Sequence, residues 1–229
     1  MRGISGADPL FGTDDGSAEP AVSRALAGYA ADEGSERAAL AALAASRLLV
    51  PVVAAGGETA AGGEKASEMA LPTLIGLDGR RAIPAFTCMA AMQRWRRDAR
   101  PVPAAALAVW QAAAQDSCAV VIDVGGPVPL AVEGARLAAL ARGDGPPELW
   151  ADPDVREIVA SVLAGHLEVA AFDLRPGEAD RDLAIALSLA PGQPADDVTS
   201  LAAQLAEAVH GRLGGRLRRG VAIWLGAGR

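Results

Sequence analysis

MALPTLIGLDGRRAIPAF, at Met69–Phe86, holds two apolar runs on either side of the dipeptide Asp78-Gly79. Asp-Gly between two apolar runs predicts a β-hairpin, because both residues tolerate the backbone angles of a tight turn. The strands of this hairpin are predicted at Met69–Leu77 and Arg81–Phe86. The preceding segment RLLVPVVA, at Arg47–Ala54, predicts a further strand because it is apolar and rich in β-branched residues.

Helical spacing of apolar residues and helix-start signals predict the surrounding elements of the first half of the chain. Two helices are expected between Pro20 and Ala45, the second capped by Ser35. Later helices are predicted at Thr87–Arg97, with Thr87 as its N-cap, at Pro103–Gln115 and at Gly134–Arg142. An extended piece is predicted at Arg100–Pro103, and short strands are predicted at Cys118–Val124 and Val128–Val132.

The segment GDGPPEL, at Gly143–Leu149, marks a domain boundary because its glycines and prolines interrupt all periodicity. Beyond it, strict alternation of leucine and isoleucine with smaller residues around Leu183–Leu189 predicts a strand covered on one face. The order expected there is helix, two strands, helix and strand. The first helix is predicted at Pro153–Ala164 and is followed by the two alternating strands. The second helix is predicted at Pro194–Leu213 and the last strand at Leu217–Leu225.

The predicted fold class is therefore α+β, with two small mixed domains, each a mainly antiparallel sheet packed against helices. Residues 1–19 are expected to form a flexible acidic tail, because they combine Gly, Ser, Asp and Pro without apolar periodicity. The first domain is placed at residues 20–143 and the smaller C-terminal domain at residues 150–229.

Composition narrows the classes of function. The 229 residues are 51% hydrophobic and 21% charged with a net charge of −7, which indicates a globular protein and argues against broad binding to nucleic acids or anionic membranes. No uncharged stretch is long enough for a membrane span. Two cysteines and an N-terminus without a secretory apolar region predict a cytoplasmic protein with reduced thiols.

The sequence contains no group of residues with the identity and spacing of a known catalytic site. The glycine-rich segment at Gly56–Ser67 lacks the Lys-Ser/Thr ending of a phosphate-binding loop, and the common hydrolase, dinucleotide and zinc-protease motifs do not occur. Two separated histidines predict no metal site, and no cofactor is expected. Cys118 is predicted to lie in the core, and Cys88 is interpreted as an inert thiol at a helix start.

Three other groups have both a structural and a functional interpretation. Asp123 and Glu133 border the same predicted turn, so they form either a carboxylate dyad or two turn and cap carboxylates. The arginines around Trp95 suit either an acidic partner or phosphate-bearing ligand, or a solvated helix end. The arginines at positions 212, 216, 218 and 219 are interpreted as a solvated turn.

The middle of the chain resembles the SseB family of bacterial proteins. The resemblance rests on RLLVPVVA, on EKASEMALPTLIGLDGRRAIPAFT at Glu64–Thr87, on the segment Trp95–Pro103, on VVIDVGGP at Val120–Pro127 and on VEGARLAALARG at Val132–Gly143. It covers roughly residues 35–145, the family's N-terminal domain, and the second unit looks like the shorter C-terminal portion of actinobacterial members. Cys88 departs from the Ser or Thr usual in the family.

The family is named for an enhanced serine sensitivity phenotype, and the resemblance supplies no established catalytic activity for this chain. We therefore predict a non-catalytic, cytoplasmic regulatory or protein-interaction module that binds a protein partner or a small metabolite. Its binding residues are expected on loops that match the family. They are Lys65, Ser67, Glu68, Asp78, Arg80, Arg100 and Asp123.

Two alternatives stay open. One is an enzyme or metabolite-binding protein with a site between the domains, in which Glu68, Arg100 and Asp123 converge in an apolar cleft. The other is self-association into a homo-oligomer through exposed sheet edges.

Overall fold

The computed structural model describes residues 14–31, 33–54, 69–178, 181–191 and 195–226. These residues divide into two compact units. The first comprises the described residues up to 34 and residues 38–146, and the second comprises residues 35–37 and the described residues from 147 onward. The helices and strands of both units, in mainly antiparallel sheets, make the fold α+β, as predicted.

Helices and strands alternate irregularly along the first unit. Its helices are α1 (Pro20–Ala30), α2 (Glu36–Ala44, which begins in the 35–37 segment), α3 (Met89–Trp95), α4 (Ala106–Gln115) and α5 (Gly134–Arg142). Its strands are β1 (Arg47–Ala54), β2 (Met69–Ala70), β3 (Leu74–Ile75), β4 (Arg81–Ala85), β5 (Arg100–Ala105), β6 (Ala119–Ile122) and β7 (Leu130–Val132).

The strands of the first unit form two sheets, with the orders β2-β1-β5 and β3-β4-β6-β7. Every neighbouring pair is antiparallel except β4 and β6, which run parallel. Leu49 of β1 joins the two sheets, because its amide donates to the carbonyl of Phe86 and its carbonyl accepts from the Phe86 amide, at 2.7 and 2.9 Å.

Strand β1 is covered on both faces, which explains why its sequence is apolar without alternation. Leu48 and Val50 lie in the main core with α1, α2, α4 and α5. Leu49 and Val53 point the other way, into a smaller core around Phe86. Trp110 of α4 is the largest fully buried side chain of the main core.

The second unit has the predicted order of helix, two strands, helix and strand. Its elements are α6 (Pro153–Leu163), β8 (Val169–Pro176), β9 (Leu183–Leu189), α7 (Ala195–Leu213) and β10 (Val221–Gly226), with single turns of 3-10 helix at Leu149–Ala151 and Gly214–Arg216. Strand β9 is central, antiparallel to β8 and parallel to β10. Leu183, Ile185 and Leu187 alternate into its core, as expected.

The predicted helix at Pro103–Gln115 is wrong in its first turn. The residues Arg100–Ala105 form β5, and α4 begins only at Ala106. Pro101 and Pro103 are tolerated in this strand because β5 lies at the edge of its sheet and pairs only with β1. The extended piece at Arg100–Pro103 is thereby confirmed as a strand.

Two further predictions need correction. The single strand expected at Met69–Leu77 is divided, since β2 pairs with β1 and β3 pairs with β4, and the chain changes sheets between Ala70 and Leu74. The N-cap of α3 is Cys88 rather than Thr87. The Sγ atom of Cys88 accepts a hydrogen bond from the Ala91 amide, at 3.4 Å.

Candidate functional site

The β3–β4 hairpin presents a turn held by side chains. The carboxylate of Asp78 accepts from the Arg80 amide at 3.1 Å and from Arg80 Nε at 2.5 Å. Arg80 also donates through Nη1 to Glu133, which precedes α5. These bonds lower the pKa of Asp78 and raise the pKa of Arg80. Gly79 adopts a φ of +80°, which favours glycine at this turn.

Two large apolar side chains of this hairpin point into solvent. Leu77 is fully exposed and Ile75 is 74% exposed. Ile75 lies directly opposite Arg81 in the pairing of β3 with β4, so both side chains project from the same face of the hairpin. We call Ile75, Leu77, Asp78, Arg80 and Arg81 the hairpin surface.

A cleft of about 380 Å³ lies where the parallel strands β4 and β6 begin. Its polar lining comes from Arg80, Arg81, Ser117 and Glu133, and its other lining residues are Ala114, Cys118, Ala119, Gly134, Leu137 and Ala138. The volume falls in the range of small-molecule sites. The cleft therefore joins the hairpin surface to the first turn of α5.

Asp123 lies in a different place, at the carboxyl end of β6, where it is buried. One carboxylate oxygen accepts from the Thr87 amide at 2.8 Å, and the other accepts from the Thr87 hydroxyl at 2.7 Å. This pairing explains why Thr87 does not cap α3. Burial raises the pKa of Asp123, and the two hydrogen bonds from Thr87 and the charge of Arg94 oppose that effect.

Asp123→Asn is expected to change how stability depends on pH. The pKa of the Asp123 carboxyl group is higher in the folded chain than its ordinary value of 3.8, which applies in the unfolded chain. The wild type therefore loses stability relative to the variant as pH rises through 3.8 to the raised pKa. Asparagine also tolerates the φ of +49° at this position.

The measurement is the free energy of unfolding in urea for both proteins, at several pH values from about 2 to 7. Asp78→Asn is the matched control with the opposite sign, because the pKa of Asp78 is lowered and its contribution is lost as pH falls. A difference between wild type and Asp123→Asn that stays constant over this range would contradict the assignment.

The structure separates the sequence-predicted residues. Asp78 and Arg80 meet at the hairpin turn, whereas Arg100 is exposed at the start of β5, opposite Val52. Lys65, Ser67 and Glu68 lie outside the described residues. Asp123 follows β6 and Glu133 follows β7. Because these two strands are antiparallel, the two carboxylates lie at opposite ends of the strand pair and do not form a dyad.

Arg81, Ser117 and Glu133 line the cleft but were not predicted as binding residues. The sequence pairs Glu133 only with Asp123. The available signal is that Arg81 begins β4 and Ser117 lies two residues before β6, because parallel strands begin at the same end of a sheet. Glu133 directly precedes α5. Reading that signal requires knowledge of the parallel pairing.

The remaining candidate groups have structural partners. Cys118 is buried in the core, as predicted, and Cys88 caps α3. Arg216 pairs with the buried carboxylate of Asp152, so its interpretation as part of a solvated turn is wrong. The backbone amides of Arg218 and Arg219 donate to Asp182, at 2.5 and 2.6 Å.

The aromatic residue of the arginine cluster is also part of the packing. Trp95 lies against Phe86 with ring centroids 5.4 Å apart. Arg96, one of the surrounding arginines, pairs with Asp98 on the surface. Within the described ranges, no three Cys, His, Asp or Glu side chains gather as a metal site, and no helix is long and apolar enough to cross a membrane.

Comparison with known proteins gives one match. The family model described as SseB protein N-terminal domain matches residues 22–139, just over half of the chain. No curated protein and no solved structure matches. The matched region contains β1, the β3–β4 hairpin, the cleft and most of α5. The chain belongs to the SseB family.

Proposed function

We propose that the chain is a non-catalytic, cytoplasmic regulatory module that contacts a protein partner through the hairpin surface. The observation that carries the proposal is the exposure of Leu77 and Ile75 beside paired charges. Large apolar side chains displayed together on a loop are typical of an interaction site.

The turn of the hairpin is organised before any partner binds. Asp78 and Glu133 both hold the guanidinium of Arg80, and the Gly76 amide donates to the Arg80 carbonyl at 2.8 Å. A preorganised surface loses less conformational entropy on association than a flexible one. This supports a contact role for the exposed leucine and isoleucine.

The charge of Arg81 indicates the chemistry of the partner. Its Nη2 donates to the Asp116 carbonyl at 2.6 Å, and among the described residues no carboxylate forms an ion pair with it. Because Ile75 lies on the same face, the complementary partner surface is an apolar pocket with an acidic rim.

Other reactive groups support a non-catalytic role because each is used in the fold. Both oxygens of Asp123 accept from Thr87, and the thiol of Cys88 caps α3. We further propose that the second unit is the shorter C-terminal portion found in actinobacterial members of the family. A cytoplasmic location agrees with the free thiols of Cys88 and Cys118.

The experiment is affinity capture of the tagged full chain from an extract of its source organism, followed by direct binding of the captured protein in purified form. The Ile75→Ser/Leu77→Ser variant is expected to weaken the partner's affinity at least about tenfold, because each exposed apolar side chain contributes burial at the contact. Both side chains are exposed, so the fold is expected to remain intact.

Leu167→Ser is the matched control, since Leu167 is 92% exposed but lies in the second unit. A Lys65→Ala/Glu68→Ala variant tests the other predicted binding residues. A partner that binds wild type and Ile75→Ser/Leu77→Ser equally would overturn the assignment of this surface. Capture of a second copy of the chain, with a dimer in light scattering, would replace the partner by self-association.

A further inference from the structure

The cleft beside the hairpin is lined by one cationic side chain that pairs with no carboxylate of the described residues. Arg80, Arg81 and Glu133 line the cleft. Asp78 and Glu133 both pair with Arg80, so these two carboxylates offset its charge. Arg81 donates to the Asp116 carbonyl instead, and its positive charge is the one that remains for an anionic ligand.

Helix α5 adds to this field. It begins at Gly134, and its first two turns flank the cleft through Gly134, Leu137 and Ala138. The amino end of a helix carries partial positive charge from its aligned peptide dipoles. Arg80, Arg81 and the amino end of α5 thus line the same cleft.

The rest of the lining limits the size and polarity of a ligand. Ala114, Ala119, Ala138 and Leu137 supply short apolar walls, and Ser117 supplies a hydroxyl. The volume of about 380 Å³ accommodates a small metabolite rather than a folded partner. Short apolar walls beside cationic groups suit a molecule with one anionic end and a compact apolar body.

We propose that this cleft binds the carboxylate or phosphate end of such a small molecule. Arg81 is the first contact, because in the described part of the chain it has no carboxylate partner and is held only by the Asp116 carbonyl. Guanidinium groups bind both kinds of anion through paired hydrogen bonds. The site shares Arg80 and Arg81 with the hairpin surface, but Ile75 and Leu77 do not line it.

The carboxylate of Glu133 competes with an anionic ligand for the guanidinium of Arg80. Its Oε2 atom accepts from Arg80 Nη1, so an anionic ligand that uses Arg80 must share or displace this carboxylate. Glu133 precedes α5 without any side-chain capping bond. Glu133→Gln therefore removes the competing charge and leaves the helix start intact.

The test is a titration of the full chain followed by amide chemical shifts in NMR spectra. Butyrate and butyl phosphate are the probes that distinguish the two anion types, inorganic phosphate tests the anion alone, and butylammonium is the control of opposite charge. Expected are saturable shifts of the Arg81, Ser117 and Gly134 amides with butyrate or butyl phosphate, and no saturable shifts with butylammonium.

Variants then test the assigned residues. Arg81→Gln is expected to weaken the affinity for the responding probe about tenfold or more, because a charge-assisted hydrogen bond is lost. Glu133→Gln is expected to strengthen it severalfold, because the competing carboxylate is gone. Arg97→Gln, which removes an exposed arginine outside the cleft, is expected to leave it unchanged.

Absence of saturable shifts at these amides with every anionic probe would overturn the proposal. Equal affinities of wild type and Arg81→Gln, or equal response to butylammonium, would overturn it as well. Ile75→Ser/Leu77→Ser is expected to keep the probe affinity of the wild type, so failure of the protein-partner proposal and failure of this one are distinguishable.

Discussion

Arg47→Ala is expected to lower the free energy of unfolding by about 3–5 kcal/mol. The guanidinium of Arg47 is buried and has three partners. It forms two hydrogen bonds with the carboxylate of Asp14, donates to the Thr87 carbonyl at 2.5 Å, and donates to the Ser17 carbonyl. Removing it takes the donor from a buried carbonyl and leaves the Asp14 carboxylate, which still accepts from the Gly16 amide, without its cation, and this is costly.

Urea unfolding followed by tryptophan fluorescence measures this loss, since Trp95 and Trp110 lie in the same unit as Arg47. Arg47→Lys is the matched control. It keeps the charge but not the planar fork of donors, so an intermediate loss is expected. Asp14→Asn keeps both carbonyl contacts of Arg47 and is expected to cost less than Arg47→Ala. A loss below about 1 kcal/mol for Arg47→Ala would show that the network contributes little.

Asp152→Ala is expected to lower the free energy of unfolding by about 3 kcal/mol, because it removes two contacts of a buried carboxylate. One oxygen of Asp152 accepts from the Asp154 amide at 2.8 Å and caps α6. The other accepts from Arg216, which lies in the 3-10 turn after α7 and is itself largely buried. The variant loses the cap and leaves the guanidinium without this partner.

Hydrogen exchange of the α6 amides, together with urea unfolding of the full chain, provides the measurement. Asp152→Asn keeps an oxygen to cap the helix but loses the charge, so its loss is expected to be smaller than that of Asp152→Ala. Asp152→Ala/Arg216→Met is expected to cost less than the sum of its single changes, because Asp152 and Arg216 interact directly and each single change removes the same ion pair. Arg216 also pairs with Glu36, so Arg216→Met alone is the reference for the loss of that second contact. Strictly additive losses would contradict a buried ion pair at this place.

Local sequence signals predict many of the helices and strands, because the residues that begin, end or turn these elements lie within or next to them. Arg47–Ala54 and Gly134–Arg142 have the predicted bounds. The Asp78-Gly79 turn joins two antiparallel strands, as expected. Gly143 ends α5 with a φ of +81°, and Pro153 begins α6 directly after a capping Asp152.

The errors arise where a distant residue competes with a local signal. Thr87 has the side chain of a good N-cap, but Asp123 engages both its amide and its hydroxyl from 36 positions away. Pro103 has the right identity for a helix start, yet it pairs opposite Leu49 in an edge strand. Neither partner can be identified from the residues around Thr87 or Pro103.

In the candidate site, too, some residues are predictable from local signals and others are not. Asp78 and Arg80 were predicted because they flank a recognisable turn. Arg81, Ser117 and Glu133 come together only because β4 and β6 run parallel and α5 follows the antiparallel β7. Parallel pairing leaves no signature in either strand alone, so their shared cleft could not be predicted.

The sequence by itself determined the α+β class, most helices and strands, the hairpin turn and the family resemblance, since each rests on short-range patterns of polarity, turn residues or motif order. Tertiary structure decided which charged side chains are buried, which strands run parallel and where the cleft lies. Those properties depend on contacts between residues far apart in the chain. Arg47 shows the difference, because this first residue of an apolar strand is buried through its hydrogen bonds to Asp14, Ser17 and Thr87.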